Sequence, residues 1–311
     1  MDLRQAMIKS TIRFMAIRNI AFAITVLLTL VGLGALFSKG LNFGLDFTGG
    51  TLIELQYEQP ADLERIKQEL GEAGYNDAVV QSFGATTDVL IRLAGDDPQL
   101  GNLVAEALRK IDVDTRFELK RVEFVGPQVG EELRDQGGLA MLLALGGILL
   151  YLAFRFQWKF GVGAVASLAH DVVITLGVLA FFQVPFDLTV LAAVLAMIGY
   201  SLNDTIIIYD RIRENFRMLR KTGLEENIDI SVTQTLLRTI ATSLSTALAL
   251  IALLVFGGDV LAAFALTLLV GVVVGTYSSV YIGAVVLIWL KLGVEDLIPP
   301  AVEAEGDDGR P

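Results

Sequence analysis

The chain has 311 residues, of which 54% are hydrophobic, and it carries a net charge of −11 and no cysteine. That charge argues against a nucleic-acid partner, and the lack of cysteine excludes disulfide bonds. The apolar residues are concentrated at 20–37 and 137–290, whereas 38–136 has the composition of a soluble domain. The composition therefore predicts a membrane protein with one large polar insert.

Six stretches are apolar and long enough to be transmembrane helices, which need about 20 residues each. They cover residues 20–37, 137–154, 161–182, 188–208, 237–256 and 261–290. The basic tail 1–19 precedes the first stretch, as in a signal peptide, but no A-x-A cleavage site follows it. We therefore expect the first stretch to be an uncleaved anchor.

The basic residues of the predicted loops indicate an orientation. The N-terminal tail, the break at 155–160 and the loop at 209–236 carry lysine or arginine, whereas 183–187 and 257–259 carry none. Because basic loops stay in the cytoplasm, we expect both termini there, including an acidic tail at 291–311. The insert 38–136 is then extracytoplasmic. The end of the tail, 301–311, is typical of disordered chain, and we assign it no function.

The insert has the predicted element order βαββαβ. We expect strands at 51–59, 78–84, 88–94 and 115–126, and helices at 61–74 and 97–111. In the last strand the apolar phase slips between Leu119 and Val122, which indicates a β-bulge. The order predicts an α+β ferredoxin-like domain between the first and second spans of a polytopic α-helical membrane protein.

The insert is acidic, with 10 Lys and Arg against 19 Asp and Glu. This charge fits either a solvated surface or a surface that contacts a polypeptide. We find no metal-ligand cluster, nucleophile–base set or phosphate-binding loop in it, so we expect neither a metal nor a cofactor, and we do not expect an enzyme.

Asp204 lies inside an apolar run, where a carboxylate is costly and usually functional. It is 16 residues into the fourth span, or about 24 Å from the start of that span. In the predicted topology, Arg238 of the fifth span and Thr276 of the sixth lie at nearly the same depth, about 27 and 24 Å from the outer ends of their spans. A carboxylate, a guanidinium and hydroxyls at one depth could line a proton path.

Each of these helices also carries a polar stripe at that depth. Spacing of three and four residues places Tyr200, Ser201 and Asp204 on one face, and Arg238, Thr242 and Ser245 on another. The sixth span has TYSS at 276–279, just after the small-xxx-small run GVVVG. The candidate relay is Asp204 with Arg238, and the supporting candidates are Tyr200, Ser201, Asn203, Thr242, Thr276, Ser279 and Asp171.

Other interpretations of these charges remain open. Asp204 and Arg238 could form a fixed structural ion pair, or Arg238 could extend to the lipid headgroups. His170 and Asp171 fall near the middle of the third span and could form a second relay site. For His170 we favour a hydrogen-bonded pair that ties helices together. Asp171 is harder to explain structurally, because a carboxylate in mid-span is expensive.

Four motifs resemble the SecF family of the bacterial Sec protein-export machinery, within the broader RND group of proton-driven membrane proteins. They are GLDFTGG at 44–50, VGPQVG at 125–130, SLNDTIIIYDRIREN at 201–215 and RTIATSLSTALALIALLVFGG at 238–258. The span order and the position of the insert also match, so the resemblance covers nearly the whole chain.

The resemblance implies a function and partners. Such subunits pair with SecD and associate with the SecYEG channel, often with YajC, in the bacterial inner membrane. The complex uses the proton gradient to help draw exported polypeptides outward, and no cofactor is implied. The family's fourth-span aspartate is thought to carry the proton and its fifth-span arginine to assist. Those roles fall on Asp204 and Arg238.

The two junctions between the insert and the spans are rich in glycine and proline. We predict a tight turn at the first junction, where Gly44, Gly49 and Gly50 permit unusual backbone angles. Asp46 in this motif is either structural or part of a hinge that transmits motion. Gly126 and Pro127 mark the return junction, and both junctions would have to bend if the insert rocks.

Two further functions compete with an export subunit. One is an RND-type exporter of small molecules, for which this chain would have to dimerise to form a comparable path, and which predicts a solute-dependent resistance phenotype. The other is a purely structural scaffold, which predicts that Asp204→Asn keeps activity whenever the complex assembles.

Overall fold

The computed structural model describes residues 11–83, 85–95, 97, 99–111, 117–219, 222–293 and 296. The chain forms two compact units. The helical unit holds the chain up to Gly40, together with Ala144–Gln183 and the chain from Ala192 onward. The sheet unit holds Leu41–Leu143 and Val184–Leu191. The basic residues Arg4, Lys9, Arg220 and Lys221 and the acidic end of the chain lie outside the described residues.

The regular elements alternate between the two units along the chain. In order, they are α1 (Arg18–Ser38), β1 (Asn42–Phe43), α2 (Leu45–Thr48), β2 (Gly50–Tyr57), α3 (Leu63–Glu72), β3 (Val79–Phe83), β4 (Ala85–Leu93), α4 (Leu100–Ile111), β5 (Phe117–Val125), α5 (Pro127–Arg155), α6 (Trp158–Phe182), β6 (Pro185–Phe186), α7 (Leu188–Met218), α8 (Leu224–Phe256), α9 (Asp259–Ser278) and α10 (Ala284–Trp289). A 3₁₀ turn, Phe14–Ile17, precedes α1, and a π-helical turn, Ser279–Gly283, joins α9 to α10.

Six helical segments in the described chain are long and apolar enough to cross a membrane, as predicted. They are α1 with its 3₁₀ turn, α5, α6, α7, α8, and α9 continued through the π turn into α10. The helices reach past the apolar stretches because charged residues end an apolar run without ending a helix. The last ten residues of the predicted insert, 127–136, accordingly belong to α5.

The predicted loop at 209–236 is wrong for most of its length. Helix α7 continues to Met218 and α8 already begins at Leu224. These extensions are joined by buried polar contacts: the side-chain amide of Asn215 donates to Ser231 Oγ at 2.8 Å and to Gln234 Oε1 at 3.0 Å. The extensions also carry Ile212, Phe216, Ile228 and Val232, which are buried in the apolar core of the helical unit. The charged residues between them are compatible with helix.

The sixth span is one helical segment, as predicted over 261–290, but it contains a π-helical turn that its sequence did not predict. The π turn lies where Tyr209 of α7 packs between two glycines. A Cβ on Gly163 would lie 2.3 Å from the Tyr209 hydroxyl, and one on Gly283 would lie 2.9 Å from it. Neither glycine could carry a side chain without displacing this fully buried ring. The turn therefore adjoins a closely packed contact between α6, α7 and the sixth span.

The sheet unit contains an antiparallel sheet with the strand order β3-β4-β2-β5. Its elements follow the predicted βαββαβ order, and α3 and α4 contribute Ile66, Leu70, Val104 and Leu108 to a core with the inward faces of the strands. Each fully buried aliphatic side chain contributes roughly 1.5–3 kcal/mol. The pairing of β2 with β5 shifts register around Lys120, which confirms the predicted bulge.

Local signals set the ends of the helices in this unit. The Asp62 carboxylate accepts a hydrogen bond from the Arg65 amide at 3.2 Å and caps α3. Gly74, at φ +95°, follows the C-terminus of α3 in a conformation that favours glycine. Just before α4, Asp97 Oδ1 accepts a hydrogen bond from the Gln99 amide at 2.8 Å.

Candidate functional site

The predicted layer of hydroxyl groups joins α7, α8 and α9. The Tyr200 hydroxyl donates to Ser243 Oγ at 3.3 Å. Ser243 Oγ in turn lies 2.8 Å from Thr276 Oγ1. Tyr200 and Thr276 thus meet through a serine of α8 that the sequence analysis did not select.

Asp171 is the centre of a second polar cluster, in the core of the helical unit. Its side chain is fully buried. Its Oδ2 accepts from Ser201 Oγ at 2.5 Å and from Ser278 Oγ at 2.8 Å, and its Oδ1 lies 3.0 Å from His170 Nδ1. One carboxylate therefore ties α6 to α7 and to α9.

Further hydroxyls extend this cluster on both sides. Ser167 Oγ donates to Ser278 Oγ at 2.9 Å, and Thr205 Oγ1 lies 2.9 Å from Ser279 Oγ. Ser279 also donates to the Gly275 carbonyl at 2.8 Å. The predicted residues Ser201, Ser279 and Asp171 thus belong to one connected polar network. Its members from the sixth span, Ser278 and Ser279, lie just before and within the π turn.

Asp204 lies one helical turn from Ser201 but is outside this network. It is 1% exposed, and neither of its carboxylate oxygens has a hydrogen-bond partner among the described residues. Arg238 is the charged group that acts on it electrostatically. The Arg238 side chain is itself exposed, and the two residues form no direct ion pair. The structure therefore lacks the fixed ion pair that was one interpretation of these charges.

Several predicted supporting residues point elsewhere. Asn203 is exposed, and Ser245 is exposed on α8. The Thr242 hydroxyl donates to the carbonyls of Arg238 and Thr239 at 3.0 Å each, within its own helix. The predicted polar stripe of α8 is therefore rotated away from Asp204, and the contact with α7 and α9 is made by Ser243.

His170 does not tie helices together as predicted. Its Nδ1 pairs with Asp171 on the same helix, and its Nε2 is buried and has no hydrogen-bond partner among the described residues. The connection between helices is made by the carboxylate of Asp171, because that group accepts from α7 and α9.

The predicted hinge residues of the first junction form a compact arrangement in the sheet unit. Instead of a simple tight turn, residues 45–48 form the one-turn helix α2, followed by Gly49 at φ +67° and Gly50 at φ +110°. Gly44 has an ordinary φ of −72°, so the expectation of an unusual angle is wrong there. A side chain at this position would be crowded instead, since a Cβ would lie 3.0 Å from Asp187 Cβ.

The return junction packs directly on the first. A Cβ on Gly49 would lie 2.8 Å from Pro127 Cα, and one on Gly130 would lie 2.8 Å from the Gly49 amide nitrogen. Pro127 is the first residue of α5, a position that suits proline because its missing N–H is not needed there. Gly126 has open space around its Cα, so neither crowding nor a positive φ requires glycine at that position.

The residues that sequence reasoning missed had weak signals. Ser167 precedes Asp171 by four residues, and Thr205 follows Ser201 by four, so each shares a helix face with a selected residue. Ser243 has no such relation to Arg238. Within the described residues, no group of three or more His, Cys, Asp or Glu side chains could hold a metal ion.

The two carboxylates can therefore do different chemistry. Asp171 is held by three partners, so a change in its protonation would disturb contacts among three helices. Asp204 can gain or lose a proton without breaking a hydrogen bond of the bundle. An unpaired buried carboxylate has a high free-energy cost, so its presence calls for an explanation beyond packing.

Two family models match the chain. Residues 104–293 match the C-terminal region of protein export membrane proteins SecD and SecF, and residues 34–61 match the SecD/SecF GG motif. The first match covers most of the helical unit, and the second covers the first junction with its glycines.

Curated relatives match along nearly the whole chain. The protein translocase subunit SecF of Pseudomonas aeruginosa is 67% identical over 298 residues, which are 96% of this chain and 97% of that protein. The SecF subunit of Vibrio alginolyticus is 47% identical, with 96% of each protein covered.

A solved structure has the same arrangement of elements. The crystal structure of SecDF from Thermus thermophilus, described as a translocon-associated membrane protein, matches with a TM-score of 0.83 at 39% identity. The match covers 91% of this chain, which spans only 39% of the length of that protein. These matches and the six apolar helices make the chain a multi-pass membrane protein. It belongs to the SecF branch of the SecD/SecF family of protein export membrane proteins.

Proposed function

We propose that this chain is an accessory subunit of the Sec protein-export complex. Acting with SecD, it uses the proton gradient to promote movement of polypeptides across the bacterial inner membrane. Family membership supports the export role. The buried, unpaired carboxylate of Asp204 carries the proton-coupled part of the proposal.

In this function Asp204 binds and releases the proton, and Arg238 assists from α8 by its charge. The exposed position of Arg238 suits a transient role, because its side chain can approach or leave without breaking a salt bridge. The hydroxyls of Tyr200, Ser243 and Thr276 offer donors and acceptors between the same helices. Asp171 connects α6 with α7 and α9 beside this site.

The arrangement around this site follows the same proposal. Both termini lie in the cytoplasm, and the α+β domain lies on the opposite side of the membrane. We assign that domain to the ferredoxin-like fold, supported by its βαββαβ order and the strand order β3-β4-β2-β5. The complex includes SecD, the SecYEG channel and YajC, and the chain itself needs no cofactor and has no catalytic activity.

The test is export in proteoliposomes that contain the partner subunits, with and without a proton gradient. Asp204→Asn is expected to abolish the gradient-dependent part and to leave the gradient-independent part intact. The matched control is Asp210→Asn on the same helix, whose carboxylate pairs with Arg155 at 2.7 Å near the end of that span. A full gradient response in Asp204→Asn, at equal assembly, would refute the proton-carrier role.

Arg238 provides a second arm of the same test. Arg238→Lys keeps a positive charge and is expected to retain much of the gradient response, whereas Arg238→Ala is expected to lose it. Equal responses in the two variants would show that the charge at this position does not assist the carrier.

A further inference from the structure

The start of α7, the helix that carries Asp204, is capped by a residue from a distant part of the chain. The Leu188 amide donates to Asp46 Oδ2 at 3.0 Å, across a separation of 142 residues. Asp187 Oδ1 accepts from the Val190 amide at 2.8 Å. The first amides of a helix have no partner within it, and carboxylates there also interact favourably with the helix dipole. Asp46 therefore stabilises the first turn of α7 from outside that helix.

The segment that contains Asp46 is also paired with the chain entering α7. Strand β1 pairs in parallel with β6, with Asn42 opposite Pro185 and Phe43 opposite Phe186. The Gly44 amide then donates to the Phe186 carbonyl at 2.8 Å. The rings of Phe43, Phe47 and Phe186 lie 5.9–6.1 Å apart between centroids, within the range for favourable aromatic pairs.

Arg92 connects this segment to the four-stranded sheet. It lies on β4, between Leu52 of β2 and Val79 of β3. Its Nη1 donates to Asn42 Oδ1 at 3.0 Å and to the Phe43 carbonyl at 2.9 Å. Charge-assisted hydrogen bonds of this kind are stronger than neutral ones. Strand β4 is thus hydrogen-bonded through Arg92 to β1, which is paired with the residues just before α7.

The backbone is closely packed at two glycines of the first junction. Gly44 lies against Asp187 and Gly49 against Pro127: a Cβ on Gly44 would lie 3.0 Å from Asp187 Cβ, and one on Gly49 would lie 2.8 Å from Pro127 Cα. Segments that serve as hinges need space in which backbone angles can change. The junction residues predicted as a hinge are better suited to transmitting a displacement than to absorbing one.

We infer that Asp46 and Arg92 are positioning residues that attach the start of α7 to the sheet, and that gradient-dependent export requires this attachment. A displacement of the sheet would reach the first turn of α7 and, along one continuous helix, Asp204 sixteen residues further on. The inference rests on the proposed function, because it presumes that α7 carries the proton-binding group.

The first test is export in the proteoliposome assay with Asp46→Ala and Asp46→Asn. Asp46→Ala removes the acceptor of the Leu188 amide. Export with a proton gradient should therefore fall to the level measured without one. Asp46→Asn keeps a side-chain oxygen that can accept from the Leu188 amide, so it should restore most of the response. A merely structural requirement for the negative charge would leave both variants equally impaired, which would overturn the inference.

The matched control is Asp62→Ala. Asp62 also caps a helix of the sheet unit through its side chain, but that helix is α3. Either substitution removes one side-chain acceptor from the first turn of a helix, so the two variants lose comparable local contacts. Gradient-dependent export is therefore expected to survive Asp62→Ala. Equal responses in Asp46→Ala and Asp62→Ala would overturn the inference.

Arg92→Ala is compared with Arg121→Ala in the same way. Arg121 lies on β5 and pairs with Glu123 of its own strand. Only Arg92→Ala is expected to lose the gradient response. Hydrogen exchange in the assembled complex provides a readout apart from export: in Asp46→Ala, amides at 188–191 should exchange about fivefold faster, as expected for a lost cap.

These results separate the inference from the proposed function. Asp204→Asn decides whether Asp204 carries the proton. The comparison of Asp46→Ala with Asp62→Ala decides whether the attachment of α7 to the sheet is needed. A gradient response that survives Asp204→Asn but not Asp46→Ala would refute the carrier role of Asp204 and support the need for the attachment of α7. The reverse pattern would support the carrier role and refute the need for the attachment of α7.

Discussion

Asp171 and Asp204 are both buried carboxylates in neighbouring helices of the same unit, yet their surroundings are opposite. Asp171 has three hydrogen-bond partners, on α6, α7 and α9, whereas Asp204 has none in the part of the chain that the structure describes. A carboxylate whose oxygens are satisfied contributes to the packing of the helices. A buried carboxylate without partners raises the free energy of the folded state and joins no helices. Binding of a proton is a reason for its presence that packing does not supply. The difference supports the proposal in which Asp204 carries the proton and Asp171 connects the helices.

The largest effect on stability is expected for Asp171→Ala. This change removes an acceptor from Ser201 and Ser278 and the partner of His170, all inside the bundle. The free energy of unfolding should fall by at least about 3 kcal/mol, since each stranded polar group costs about 1–3 kcal/mol. Unfolding in detergent micelles measures it, with Asp171→Asn as the control that keeps an acceptor. A stability equal to that of the wild type would break the comparison.

A smaller loss is expected for Ser201→Ala, which removes one hydrogen bond to Asp171 and keeps the other two contacts. The free energy of unfolding should fall by about 1.5–3 kcal/mol, the range for hydrogen bonds to charged groups. The same unfolding assay measures it, and Ser245→Ala, which removes an exposed hydroxyl, should have no effect. If both variants unfold alike, the short Ser201–Asp171 contact contributes nothing to stability.

Ser243→Ala should have a weaker effect still. It removes the hydroxyl between Tyr200 and Thr276, where all three groups are neutral and half-buried. The expected loss is about 0.5–1.5 kcal/mol in the free energy of unfolding. A double-mutant cycle with Thr276→Val measures the coupling between the two positions. Strictly additive losses would mean that the two hydroxyls do not interact.

Asp204→Asn should change stability least of these variants. No hydrogen bond is lost, so the free energy of unfolding should stay within about 1 kcal/mol of the wild-type value. The expected pattern is a stable protein that lacks gradient-dependent export, the converse of Asp171→Ala. A loss of stability as large as that of Asp171→Ala would show that Asp204 has partners of its own and would remove the contrast.

Much of the fold could be predicted because its signals are local. Apolar runs identified six spans, and the phase slip near Leu119 located a bulge that the register of β2 and β5 confirms. The π turn in the sixth span was not predicted, because it lies at a packing contact with Tyr209 that apolar periodicity does not reveal. The pairing of β1 with β6 was also missed, because two-residue strands have no periodicity.

The candidate site was predictable in part for a related reason. A carboxylate in an apolar run is conspicuous in the sequence, so Asp204 and Asp171 were both selected. Their partners depend on how each helix is rotated about its axis, which the spacing of residues on one helix does not define. That rotation exposes Arg238 and brings Ser243 and Ser278 inward.

The most direct measurement is infrared difference spectroscopy of the reconstituted complex across a pH titration, which detects the carbonyl stretch of a protonated carboxyl group. The comparison includes the wild type, Asp204→Asn and Asp171→Asn. We expect a titrating band that disappears in Asp204→Asn and persists in Asp171→Asn. A band that persists in Asp204→Asn and disappears in Asp171→Asn would reverse the roles of the two carboxylates and contradict this account.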